Sequence, residues 1–153
     1  MNISFLGEFE VTLDTKGRFL LPAGVKRQLP ESEATRFVIN RGIDKCLTLY
    51  PLQNWKPIFD RVLELDDFDP KAREFRRHYL NGAEEVEPDT AGRILIPPRL
   101  KEYAGLVKDA VLVAVGNKIE IWDQEKYQQF FDSMTPEELS ELAKTVMVKK
   151  NEG

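Results

Sequence analysis

An aspartate followed four positions later by an arginine, with a glycine directly before the arginine, occurs twice in this chain. The stretches are DTKGRFLLP at 14–22 and DTAGRILIP at 89–97, and six of their nine positions are identical. Asp14 or Asp89 can accept a hydrogen bond from the backbone two residues on, and Gly17 or Gly92 supplies the positive φ of a tight turn or bulge. Arg18 or Arg93 then leaves the turn within reach of its aspartate. Taken structurally, such a pair closes a turn, and exposed pairs of this kind contribute about 0–1 kcal/mol. Taken chemically, a guanidinium held in place is a planar bidentate donor for a guanine edge or a phosphate. Two of them at fixed separation would read or grip one extended partner.

Two Asp-Thr pairs in a duplicated chain also raise the carboxylate dyad, in which paired acids share a proton. That site needs a tight D-T-G or D-T-S turn. Here Lys16 and Ala91 follow the threonines, Pro88 precedes one aspartate, and an arginine four residues on would keep each acid ionised. No nucleotide-binding loop or Ser/His/Asp arrangement is recognisable. Cys46 and His78 are each the single residue of their kind, which excludes an intramolecular disulfide and a zinc site of the usual Cys/His type. The chain reads as a non-enzyme without cofactor or metal.

The elements that must position these turns also repeat. FLL and ILI are short apolar runs suited to buried strands, each ended by Pro22 or Pro97. A short helix follows each copy, the second over 99–104 with Gly105 as its C-terminal cap. Further strands are expected at 37–41, 46–50, 110–115 and 118–122, with Gly116–Lys118 a tight connection in the last pair. CLTLYPLQNW at 46–55 corresponds to IEIWDQEKY at 119–127, and Cys46, set opposite Ile119, reads as a strand core residue. Helices are expected over 52–64, where Pro57 must sit in the first turn or kink it, from Asp69-Pro70 to Leu80, and over 124–132. TPEE at 135–138 is a capping box that opens a last helix with an apolar stripe from Leu139 to Met147. Half of this chain buries little surface by itself, so two β-rich halves closing around one core as an internal dimer is the expected arrangement.

The net charge of −4 gives no overall pull toward nucleic acid or an anionic membrane. Residues 1–76 balance 12 Lys+Arg against 12 Asp+Glu, while 77–153 carry 10 against 14, so a nucleic-acid surface must be a local patch weighted to the first half. Lys16, Lys26 and Arg27, with Arg99 and Lys101, cluster near the repeated turns and could hold phosphates. The basic stretch Lys71, Arg73, Arg76 and Arg77 lies near Glu64, Asp66 and Asp67, which favours ion pairs over DNA contact. The longest apolar run, at 110–115, is far short of a membrane span, so a cytoplasmic protein is expected.

The paired turns, with RGIDKCLTLYPLQNW, FRRHYLNGAEEVEPD and VGNKIEIW, resemble the MraZ family of bacterial transcriptional regulators over roughly residues 5–132. The resemblance implies an α+β fold. Two swapped-hairpin, AbrB-like β halves would form a pseudo-twofold core with helices packed around it. The chain is accordingly expected to divide into a first half-domain (5–52), a helical connection (53–81), a second half-domain with its following helix (82–132) and, beyond about Met134 where no resemblance is claimed, a C-terminal helix and tail (133–153). The resemblance also implies a nucleoid-associated, ring-shaped homo-oligomer that binds short direct repeats in double-stranded promoter DNA. Its target would be its own division and cell wall operon, usually repressed. The expected DNA contacts are Arg18 and Arg93, with Lys16, Lys26 and Arg27, on turns supported by Asp14, Gly17, Asp89 and Gly92. Lys16 faces Ala91 across the repeat, so the two turns need not contribute equally. An AbrB-type antitoxin, or an oligomeric scaffold that binds no DNA, is the alternative.

Overall fold

A computed structural model of the chain describes residues 3–30 and 36–152, with side chains to residue 148. Residues 31–35, inside the first half-domain as delimited above, lie outside the described residues, as does Gly153. The first series of elements is β1 (Glu8–Thr12), β2 (Arg18–Leu20), α1 (Ala23–Lys26), β3 (Phe37–Arg41), β4 (Leu47–Pro51), α2 (Leu52–Leu63) and α3 (Pro70–Leu80). The second is β5 (Glu84–Val86), β6 (Arg93–Leu95), α4 (Pro98–Ala104), β7 (Asp109–Ala114), β8 (Ile119–Asp123), α5 (Gln124–Asp132) and α6 (Pro136–Glu152). It answers the first element by element.

The strands exchange between the halves. One antiparallel sheet runs β1-β7-β8-β4-β3-β5, and a separate ribbon pairs β2 with β6. β1 pairs with β7 of the other half, and β5 returns the arrangement by pairing with β3. Swapping the halves leaves this order unchanged, so a pseudo-twofold axis passes through the Thr48–Glu120 pair at the centre of the large sheet. The same axis passes through the Phe19–Ile94 pair at the centre of the ribbon. Neither half has a sheet of its own, which is how two pieces too small to bury a core separately share one.

Period-two alternation then assigns each side chain to a face. Ile39, Leu49, Leu112 and Ile121 point from the large sheet into the main core, where they meet Phe19 and Ile94 of the ribbon and Val25 and Leu100 of α1 and α4. On the opposite face of the sheet, Tyr50 packs with Trp55 of α2, while Val111 and Trp122 form a second patch with Tyr127 of α5. Asn54 of α2 is buried and ties the chain together: its Nδ2 donates to the carbonyls of Ile3 and Asn117, and its Oδ1 accepts from the Ile3 N–H.

Three expectations need correction. FLL and ILI are not wholly buried runs: Phe19, Leu21, Ile94 and Ile96 are buried, but Leu20 and Leu95 are exposed. Among the described residues the outer face of the ribbon stays exposed, so its strands alternate. Pro57 lies inside α2 beyond its first turn, so the first of the two placements expected for it does not hold. Cys46 is buried just ahead of β4, against Val111 and Trp122, and Leu47 takes the strand position that answers Ile119. The caps follow expectation. Asp69 accepts from the Lys71 N–H, Gly105 closes α4 at φ +65°, and Thr135 and Glu138 cap one another reciprocally.

Candidate nucleic-acid interface

Each repeated turn is built by its backbone first. The Gly17 N–H donates to the Asp14 carbonyl and the Asp14 N–H to the Arg18 carbonyl; Gly92, Asp89 and Arg93 repeat both bonds. Gly17 at φ +84° and Gly92 at φ +81° take the left-handed position that follows such a turn in a three-residue loop. The turns are then locked to each other's strands, because Leu21 N–H donates to the Gly92 carbonyl and Ile96 N–H to the Gly17 carbonyl. The two turns thus flank the β2–β6 ribbon, one at each of its ends.

The aspartates organise the arginines. Asp14 Oδ1 accepts from the N–H groups of Lys16 and Arg18, and its Oδ2 accepts from Arg18 Nε at 2.7 Å. Asp89 accepts from the N–H groups of Ala91 and Arg93 in the same way. These contacts, the Arg18 N–H foremost, hold the Asp14 carboxyl below the ordinary aspartate value; for Asp89 the Arg93 N–H does the same. Both acids therefore stay ionised at neutral pH, as the argument against a proton-sharing dyad requires.

The two arginines are not equivalent. Arg18 is clamped in line on Asp14. Arg93 Nε lies 3.3 Å from Asp89 Oδ2 but is not aligned to donate, so this is an ion pair without a hydrogen bond. Arg93 also reaches across the pseudo-twofold, its Nη1 being 3.9 Å from Asp14 Oδ2. Asp14 therefore touches both guanidinium groups.

Register gives the outer face of the ribbon its pattern. Arg18 stands opposite Leu95, and Leu20 opposite Arg93, with Phe19 and Ile94 turned inward. Arginines occupy one diagonal, about 7–8 Å apart at the backbone by ordinary antiparallel geometry, and exposed leucines the other. Leu20 and Leu95 are 57% and 50% exposed, unusual for leucines with buried neighbours on either side in the chain. The sequence reading missed them, although an arginine two positions before each leucine places both on one strand face.

The lysines cross over. Lys26 of α1 lies against the second turn, 3.2 Å from where a Cβ at Gly92 would stand, and Lys101 of α4 lies against the first turn beside Gly17. Both lysines lie near the repeated turns, where the sequence groups them. The exposed Lys16 lies inside the first turn itself. Arg27 is exposed at the end of α1, but the residue that answers it after Lys101 is the acid Glu102. Arg99 is exposed in the first turn of α4. On the basic helix α3, Arg76 is committed elsewhere: it pairs with Asp67 and donates to the Val62 and Leu65 carbonyls at the end of α2.

The chain as a whole is similar to known proteins. The family described as "MraZ protein, putative antitoxin-like" matches twice, over residues 4–78 and 79–150. The second match runs beyond Met134, and the first takes in α2 and most of α3. Among similar curated proteins, the transcriptional regulator MraZ of Cytophaga hutchinsonii is 42% identical over 126 residues, 82% of this chain and 83% of its own. The transcriptional regulator MraZ of Natranaerobius thermophilus is 41% identical over 126 residues, 82% of this chain and 85% of its own.

Proposed function

The chain belongs to the MraZ family of transcriptional regulators, and from that premise we propose that it reads promoter DNA with the outer face of the β2–β6 ribbon. A two-stranded ribbon fits the major groove, where a guanidinium can take guanine O6 and N7 together and an apolar side chain can meet a thymine methyl. Arg18 and Arg93 read bases, Leu20 and Leu95 add apolar contacts between them, and Lys26 and Lys101 hold flanking phosphates with Lys16 and Arg27. The observation that supports this reading is the pairing of two aspartate-held arginines on one exposed ribbon face. A free guanidinium loses conformational freedom on binding, whereas one already held loses less.

Two arginine contacts at about 1–3 kcal/mol each supply about 2–6 kcal/mol of discrimination. Specific binders exceed their own non-specific affinity by about 4–10 kcal/mol. A single acidic chain is therefore marginal, and the proposal includes a ring-shaped homo-oligomer whose copies meet short direct repeats, gaining by effective concentration. Its target is its own division and cell wall operon, which it represses.

Fluorescence anisotropy on a duplex of the gene's upstream region, beside a scrambled duplex, tests the reading. Wild type should prefer the upstream duplex, and Arg18→Ala/Arg93→Ala should lose that preference while keeping its fold and mass. Equal, weak binding of wild type to both duplexes would overturn it. Stable co-purification with a toxin would then favour the antitoxin-like role in the family's description.

A further inference from the structure

The two halves treat their helices differently. In the first, six residues (64–69) link α2 to α3, and α3 folds back so that Tyr79 stacks on Trp55 at 6.1 Å and Phe75 on Tyr79 at 5.4 Å. The Asn40 Nδ2 pins this arrangement by donating to the Tyr79 carbonyl. In the second, only Ser133–Thr135 separate α5 from α6, and the reciprocal Thr135–Glu138 cap starts the new helix at once. α6 does not fold back. Every residue of it from Pro136 to Val148 is exposed, including the stripe Leu139, Leu142 and Val146. Phe130 and Phe131 of α5, the counterparts of Ile58 and Phe59, stay 56% and 63% exposed.

The first half leaves a complementary groove. A cavity of about 480 Å³ is lined by Ile58 and Val62 of α2, Leu65 beyond it, and Phe75 and Tyr79 of α3. The charged residues in its lining are the cations Arg61 and Lys118. Lys71, one turn before Phe75, adds a cation on the groove side of α3, while Glu138, one turn before Leu142, flanks the apolar stripe of α6. Apolar surface and charge therefore match between two different places on the same molecule.

We infer that α6 of one copy docks in the α2–α3 groove of the next. The stripe Leu139-Leu142-Val146 would enter the cavity, and Glu138 would face Arg61, Lys118 and Lys71. A stripe at this spacing lies along one helix face and suits a groove between two helices. The contact joins unlike surfaces, so it is head-to-tail, and such contacts close into rings when the rotation allows. The inference deepens the homo-oligomer reading above by naming the surfaces that build it.

Two variants of the full chain test it, weighed by sedimentation without DNA. Leu139→Glu/Leu142→Glu/Val146→Glu spoils the helix, and Arg61→Glu/Lys118→Glu reverses the groove; each should run at the 17.6 kDa of one chain with wild-type circular dichroism. Mixed in equal amounts, they retain one intact helix and one intact groove between them, so they should form a dimer of twice that mass and nothing larger. If wild type assembles and either variant keeps its mass, or if the mixture stays monomeric, the inference fails while the oligomer reading stands. A monomeric wild type would overturn both. The DNA preference, carried by Arg18 and Arg93, is measured separately and answers neither question.

Discussion

Replacing Lys26 and Lys101 with alanine separates gripping DNA from reading it. Both lysines lie beside the repeated turns but on the helices that follow the ribbon, each against the glycine of the opposite copy. That placement suits backbone contacts flanking the base-reading face. Each phosphate neutralised contributes about 0.9 to the slope of log affinity against log salt, so two per chain should lower the slope by about 1.8. Between 50 and 200 mM salt, wild-type affinity should consequently fall about 12-fold further than that of the double variant, per chain bound. The preference for the upstream over the scrambled duplex should not change, because phosphates carry no sequence. Arg18→Ala/Arg93→Ala should behave oppositely, collapsing the preference by about 2–6 kcal/mol. Anisotropy titrations of both variants on both duplexes across a salt series contain all four comparisons. A lysine variant that keeps the wild-type slope, or that loses preference along with affinity, would refute this division of labour.

The leucines between the arginines predict a second readout. Leu20→Ala/Leu95→Ala and deoxyuridine in place of thymidine should couple in a double-mutant cycle, by about 0.8 kcal/mol for each buried methyl. Strictly additive effects would remove the leucines from the reading face. Phe19 is fully buried beneath the ribbon, and Phe19→Ala should cost about 3–5 kcal/mol. In a chain of this size that lowers Tm by about 6–20 °C; a change within a few degrees would mean the ribbon is not anchored as described. The carboxyls of Asp14 and Asp89 are held below the ordinary value of 3.8 in the folded chain. Their contribution is present above that value and fades as pH falls through the lower, folded values. Carboxyl NMR titrations with midpoints at or above 3.8 would contradict the hydrogen bonding of both turns.

The turns were legible in the sequence because their cause is local. Asx bonding, a left-handed glycine and an arginine four residues on depend on neighbours along the chain, and the same holds for the caps at Asp69, Gly105 and Thr135. The sharing of one core was inferable from a repeat too short to stand alone. Which strand crosses to which half was not, because β1 meets β7 about a hundred positions away and no local preference encodes that pairing. Leu20 and Leu95 were misread for a related reason. A run such as FLL looks buried throughout until it is known that the ribbon has a layer on one side only. The crossing of Lys26 and Lys101 onto opposite turns depends on the strand exchange, so it too was out of reach.

Fusing two copies in one chain frees them to diverge, and the divergence follows a pattern. Where the halves meet, at the Phe19–Ile94 and Thr48–Glu120 pairs and the crossed lysines, symmetry is close to intact. Core packing and a common reading face both demand that. Away from the axis it fails: α3 folds onto α2 and is basic, whereas α6 projects from α5 and begins with three acids in its first two turns. A symmetric pair of helical faces could meet only like with like. Unlike faces can meet head-to-tail, and repeated head-to-tail contacts place every ribbon in the same orientation relative to its neighbour. DNA sites repeated in direct order require that orientation, whereas a two-fold dimer matches inverted ones. On the reading proposed here, the asymmetry of the outer helices and the near-symmetry of the ribbon serve one purpose: identical reading heads presented in series.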